Sequence, residues 1–187
     1  MEEDIYKSLE ILKAGGVILY PTDTVWGLGC DATNPKAVEK IYKIKNRSES
    51  KSLIVLVDDE EKLNTYVDEV PEIAYDLIRS IHEPLTIIYT KAKNLAKNAM
   101  TKDKSIAIRI VRNEFCKRLI SEFGKPIVST SANISGGETP ILFSKISQEI
   151  LDGVDYVVSI EHNNINQLKQ STIIRLLDNS EYEIIRR

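Results

Sequence analysis

The stretch "GGVILYPTDTVWGLG", residues 15–29, decides the fold. Two glycines stop whatever precedes them, and "VILY" follows as a short continuous apolar run with branched residues, the pattern of a strand buried on both faces. At its end come Thr22, Asp23 and Thr24. Polar groups clustered where a buried strand ends mark the region in which α/β sheets hold their ligands. The two threonines have stiff χ1 preferences and suit a fixed polar wall. Gly27 and Gly29 are read as letting the chain bend tightly behind that wall. Trp26 is assigned to core packing, and Asp23 is either a turn residue or a group that orients a cation.

Working outward, helices and apolar strands alternate. Residues 2–14 set Ile5, Leu9 and Leu12 on one helical face. Asn34 with Pro35 reads as an N-cap and first-turn proline for a helix with Val38, Ile41 and Tyr42 inward, ending near Lys45. Strands are expected at 53–57, 85–90, 105–110 and 126–130, with helices over 59–66, 71–81 and 114–123 and a short one over 143–150. Three strand candidates follow, at 155–160, 171–177 and 181–187. The short "LDNSE" link between the last two predicts an antiparallel hairpin. The fold class is therefore α/β, a twisted sheet of mixed parallel and antiparallel strands flanked by helices. Without repeats or linker-like tracts, the 187 residues read as one domain, 1–187.

Apolar residues make up 42% and charged ones 28%, the balance of a soluble globular protein. No apolar run approaches the roughly 20 residues that span a bilayer, and the start is acidic, so a cytoplasmic location is expected. Cys30 and Cys116 have neither C-x-x-C spacing nor histidine neighbours, which leaves reduced thiols as the default. A net charge of -3 argues against general attraction to polyanions. Locally the balance reverses: residues 36–51 carry Lys36, Lys40, Lys43, Lys45, Arg47 and Lys51 against Glu39 and Glu49.

Four polar clusters lie at strand ends: 21–24, the basic stretch 45–51, Ser105 with Arg109, and "STSANISGG" at 129–137. Lys45, Arg47 and Lys51 either complement a helix dipole or grip an anion. Arg109 shares a strand face with Ala107 and Ser105 and faces either water or a ligand. Ser129, Thr130, Ser131, Asn133 and Ser135 offer the donors that a phosphate or carboxylate needs, and Gly136 and Gly137 permit close approach. No P-loop, Rossmann fingerprint or G-x-S-x-G elbow occurs. His82 and His162 have no nucleophile partner and are placed at surface turns, so a hydrolase triad is not expected.

In their order, "YPTDTVWGLGCDA", "KIKNRSESKSL", "PLT", "SIAIRI", "STSANISG", "STII" and the terminal "IIRR" resemble the threonylcarbamoyl-AMP synthase family, the YrdC-like domain, over essentially the whole chain. The resemblance implies a concave basic groove and the conversion of L-threonine, bicarbonate and ATP to threonylcarbamoyl-AMP and pyrophosphate. That adenylate serves the threonylcarbamoyladenosine modification of tRNA through a separate transferase, and Mg²⁺ is expected with the ATP. By the same resemblance Lys45, Arg47 and Arg109 are catalytic. Thr22, Thr24, Arg109 and Ser129 hold threonine, and Lys45, Arg47, Lys51, Ser105, Ser131, Asn133, Thr139 and Arg186 hold the nucleotide. Replacing Arg109 or Lys45 by Ala is expected to cost turnover and spare the fold. The sequence departs from the family pattern at Asn46, Ser48, Ser52, Glu83 and Val111, the last standing where a proline is usual. The alternative is a non-enzymatic module of the same fold that binds double-stranded RNA or tRNA. A carbamoyl-adenylate enzyme of the hydrogenase-maturation type is a third reading.

Overall fold

The computed structural model describes residues 1–46, 53–162, 170–177 and 181–187. Helix α1 (Glu2–Lys13) carries Glu2, Glu3 and Asp4 in its first turn, where negative charge complements the dipole, and buries Ile5 and Leu12. In α2 (Pro35–Ile44) the Asn34 side chain accepts the N–H groups of Lys36 and Ala37, so the predicted cap forms. The single helix expected over 59–66 is instead a 3₁₀ turn (Glu60–Lys62) running into α3 (Leu63–Tyr66). Asp59 accepts the Glu61 N–H at 2.9 Å, a local bond that favours the tighter turn. Then come α4 (Glu72–Ser80), α5 (Glu114–Phe123), which stops at Gly124 with φ +71, and α6 (Gln148–Gly153) after a 3₁₀ turn (Phe143–Lys145).

Nine strands, among the described residues, form one sheet. They are β1 (Ile18–Tyr20), β2 (Gly27–Gly29), β3 (Ile54–Val57), β4 (Leu85–Tyr89), β5 (Ile106–Ile110), β6 (Ile127–Ser131), β7 (Tyr156–Val157), β8 (Thr172–Leu176) and β9 (Tyr182–Arg186). Their order is β7-β1-β2-β6-β3-β5-β4-β8-β9. β1/β7, β3/β5 and β4/β8 run parallel and the other neighbours antiparallel, including the expected β8–β9 hairpin. The mixed sheet is as read from the sequence.

β2 was not anticipated. Its glycines are strand residues rather than hinges. A methyl group on Gly29 would lie 2.5 Å from the Tyr20 ring, and one on Gly27 3.2 Å from Ser129 Oγ. Both positions need glycine for close approach, not for a turn.

Strand alternation sends side chains to two cores. On one face Leu19, Val55, Ile87, Ile108 and Val128 pack with Val38 and Ile41 of α2. On the other, Ile18, Tyr20, Leu56 and Ile127 meet Ile5 and Leu12 of α1 and Phe115 and Leu119 of α5. Val111 is buried there too, and its N–H donates to Val57 O at 3.0 Å, a bond that a proline could not make. The second core covers only part of its sheet face. On the same strands and the same face, Ile54, Ala107, Ser129 and Ser131 line a cavity instead.

Among the described residues no helix is long and apolar enough to cross a membrane.

Candidate functional site

The uncovered part of that face is a cavity of about 310 Å³. Thr24 and Val25 from the β1–β2 connection, Ser129, Thr130 and Ser131 from the end of β6, and Ala107 and Arg109 from β5 form its walls. Gln170, Ser171 and Arg186 close it from the β8–β9 side. Segments far apart in the chain thus meet in one hollow, because antiparallel pairing of β2 with β6 and of β6 with β3 brings strand ends of opposite direction to the same edge. β1 and β6 arrive by their C-terminal ends and β3 by its N-terminal end.

Thr22 and Thr24 brace each other. The Thr22 hydroxyl donates to Val25 O at 2.7 Å, and its oxygen accepts the Thr24 N–H at 3.1 Å. A hydroxyl has one proton, so in the 3.0 Å contact between the two side chains Thr24 is the donor. Thr24 therefore lines the cavity as an acceptor, while Thr22 stands behind it.

Arg109 does not face water: its side chain is 3% exposed, and its Nη2 lies 3.0 Å from Oδ1 of Asp23, itself 8% exposed. Asp23 thus both sits in a bend of the chain and lies within ion-pair distance of a cation, so the two readings of it do not exclude each other. Opposite, Arg186 donates through Nε and Nη2 to Ser171 O at 3.2 and 2.9 Å. The Ser171 hydroxyl is 2.8 Å from that of Thr86 in a buried pair, which ties β8 to β4 and fixes the arginine's anchor. Burial, and then the positive charge of Arg109, pull the Arg186 pKa below its ordinary value. Two guanidinium groups thus sense each other across the cavity, an arrangement that an anion stabilises.

Lys45 is buried beneath the 129–137 loop and is absent from the cavity wall. Its ammonium donates to Ser131 O and to Asn133 O at 2.6 Å, and its own carbonyl accepts the Ser135 N–H at 2.8 Å. These bonds offset the cost of burying the charge and tie the C-terminus of α2 to the loop. Asn133 also serves the loop, donating to Ile134 O and Gly137 O at 2.9 and 2.8 Å. Gly136 has φ +86, so the turn requires it for conformation. Thr139 accepts from Gln170 Nε2 at 2.7 Å and so supports the wall without lining it. Ser105 sits in a turn, its N–H donating to Thr101 Oγ1 at 2.9 Å, and does not line the cavity. Arg47 and Lys51, with Ser48 and Ser52, lie outside the described residues.

Gln170 and Ser171 were not singled out as site residues. Ser171 stands in the "STII" run, which carried a signal; an isolated Gln170 carried none. Of the histidines, His82 is exposed as expected. His162 is not simply at the surface: it stacks on Phe143 at 3.7 Å between centroids, with Trp26 edge-on at 5.4 Å. Cys30 and Cys116 are free and buried, and burial pushes both thiols above their ordinary range, which makes them poor nucleophiles.

Paired guanidinium groups, hydroxyls and a glycine-bearing loop around a cavity at the low end of ligand-pocket size define an α/β protein whose site has the donors and charge suited to a small anion. The family model Sua5/yciO/yrdC, described as "Telomere recombination", matches residues 10–187, and the chain belongs to that family. It is 38% identical over 160 residues to the threonylcarbamoyl-AMP synthase of Pseudoalteromonas translucida (strain TAC 125), covering 84% of this chain and 86% of the relative. To the threonylcarbamoyl-AMP synthase of Riesia pediculicola (strain USDA) it is 40% identical over 136 residues, 71% of this chain and 73% of the relative. Among solved structures, P. abyssi Sua5 complexed with L-threonine superposes with a TM-score of 0.89 at 25% identity. All of this chain is covered there, but only 54% of that one, so the chain spans about half the length of the longer protein.

Proposed function

We infer that the chain is an L-threonylcarbamoyladenylate synthase, a nucleotidyltransferase that forms threonylcarbamoyl-AMP and pyrophosphate from L-threonine, bicarbonate and ATP. The observation that carries this reading is the convergence of Arg109 and Arg186 on one hydroxyl-lined cavity. The threonine amine and bicarbonate condense to a carbamate with loss of water. A carbamate oxygen then attacks the α-phosphorus, and pyrophosphate leaves in line. Both reactants are anions, so the barrier falls when fixed positive charge and oriented donors hold them together. The substrate provides the nucleophile, which fits a cavity whose wall holds no activated Ser or Cys among the described residues.

In this reading Arg109, Thr24 and Ser129 take the amino-acid end, and Arg186 and Ser131 the nucleotide end. Lys45 and Asn133 act from beneath by shaping the 129–137 loop and adding charge to it. Arg47 and Lys51, which lie outside the described residues, keep the nucleotide role that the resemblance implies. The groove would be basic and concave, as the resemblance implies. Mg²⁺ would belong to the triphosphate rather than to the protein: among the described residues no three His, Cys, Asp or Glu side chains could hold an ion together. It would neutralise phosphate charge. The product feeds a separate transferase that modifies tRNA.

Pyrophosphate release, measured with each of the three substrates omitted in turn, tests the reading. Release is expected only when threonine, bicarbonate and ATP are all present, with an adenylate of the expected mass. Equal release without threonine would replace it by another acyl-adenylate chemistry.

A further inference from the structure

The least satisfied polar contact in the described structure lies at the cavity wall. Arg109 Nη2 and Asp23 Oδ1 are 3.0 Å apart, close enough for a strong ion pair. Yet neither Asp23 oxygen, nor Arg109 Nε, nor Nη2 has a hydrogen-bond partner, and all four atoms are buried. The charges meet with the N–H directions turned away from the carboxylate. A buried pair of this kind recovers Coulomb energy without the hydrogen bonds that normally offset desolvation. Well-packed structures rarely leave such groups unmet, and the exceptions cluster where a ligand completes them.

The surroundings hold both groups in place. Asp23 lies between the mutually braced Thr22 and Thr24 and sits beside the buried Tyr20 and Cys116. Both neighbours are buried, and burial pushes their pKa values up, so neither supplies a competing charge. Arg109 is paired in the ladder with Leu56 on one side and Thr86 on the other, at the border between the packed and the open parts of the sheet face. Its backbone cannot move without breaking two ladders. Only the guanidinium's orientation is left to be decided, and Asp23 is a charged group placed against it at ion-pair distance.

We propose that Asp23 is a positioning residue. It holds the Arg109 guanidinium by charge alone and leaves its N–H groups free to take the carboxylate of the amino-acid substrate. Asp23 does not touch the substrate; it is absent from the cavity wall. This role rests on the use of threonine put forward above and deepens it. A bidentate carboxylate needs a guanidinium held at a fixed angle. A neutral residue in place of Asp23 lets the group swing toward Arg186's side of the cavity or toward the other acceptors around it. The countercharge also lets a cation remain buried before substrate arrives.

The experiment is a kinetic comparison of the wild-type chain with Asp23→Asn, which keeps the shape and removes the charge, and Asp23→Glu, which restores it. Threonine KM is expected to rise about tenfold in Asp23→Asn, with the ATP KM unchanged, and to return most of the way in Asp23→Glu. A purely structural role would lower the melting temperature and the active fraction without separating the two KM values. Wild-type threonine KM in Asp23→Asn would overturn the positioning role. Should Asp23→Asn not fold, Asp23→Ser, which leaves room for a water, is read in the same way. Failure of both to fold overturns it as well, by making Asp23 a residue of the fold. Wild-type protein that releases no pyrophosphate with threonine present would instead overturn the activity, so the two failures are separate.

Discussion

One face of the sheet is built in two ways along the same strands. On β3, Leu56 lies under α5 in the second core, while Ile54, two residues earlier, opens on the cavity. On β6, Ile127 is packed and Ser129 and Ser131 are open. Backbone pairing does not differ between the halves; what differs is whether a helix lies above. The covered half is apolar where α1 and α5 lie over it, and the open half carries hydroxyls and charge where, among the described residues, no helix lies above. Arg109 stands on the line between them, directly paired with Leu56.

The sharpest way to break this contrast is at that line. Arg109→Ala is expected to lower pyrophosphate release at limiting threonine by about 10²–10³-fold, the order expected when a buried, hydrogen-bonded charge pair with the substrate is lost. It also leaves the Asp23 charge buried without its partner, which costs about 3–5 kcal/mol of stability. The expectation that this variant spares the fold is therefore revised, and urea unfolding beside the activity assay checks both halves of the statement. Within the covered half, Leu56→Ala should cost about 2–5 kcal/mol, read by denaturant unfolding. Turnover per folded molecule should hold.

Gly29→Ala tests why β2 exists at all. A methyl 2.5 Å from the Tyr20 ring cannot be accommodated without displacing it, and overpacking of this kind costs about 1–3 kcal/mol, measurable as a lower urea midpoint. In the open half, Ser129→Ala should cost about 1 kcal/mol, the usual worth of one side-chain hydrogen bond, less than Leu56→Ala, and raise the threonine KM several-fold, so that binding and stability separate across one face of the sheet.

The smallest effect concerns Asp4 at the edge of the covered half. Burial opposes its ionisation, but the Ser159 N–H at 2.6 Å and the Tyr156 and Ser159 hydroxyls at 2.9 and 3.0 Å outweigh it and hold the carboxyl below its ordinary pKa. A depressed carboxyl contributes stability that is fully present above its unfolded-state value, near 3.9, and is lost as pH falls through the folded value. Melting temperatures of wild type and Asp4→Asn should therefore differ at neutral pH and begin to converge only as pH falls below about 4.

Much of the site was legible because its pieces are local. Hydroxyls at the ends of apolar runs and the lone arginine in "IAIRI" are visible without a fold, and so were the mixed sheet and the terminal hairpin; of the basic stretch after α2, Lys45 serves the loop and Arg47 and Lys51 lie outside the described residues. β2 was not, because a strand of two glycines and one leucine has no propensity of its own; it is held by pairing to β1 and β6 on either side, whose Tyr20 and Ile127 side chains fill the space over Gly29. The 3₁₀ turn before α3 escaped for a similar reason, a single capping bond outweighing helical periodicity. Gln170 had no neighbours to mark it and gains meaning only opposite Thr139.

What the sequence by itself determined is most of the strands and helices, though not β2 or the 3₁₀ turn before α3, and which polar groups the chain carries at their junctions, since period and capping act over a few residues. Only the tertiary structure decided that Lys45 spends its ammonium on the loop rather than on the cavity, and that Asp23 stands against Arg109, 86 positions away. Partners like these are chosen by burial: once a charge leaves water, the nearest countercharge or carbonyl in space becomes its solvent, however far along the chain it lies.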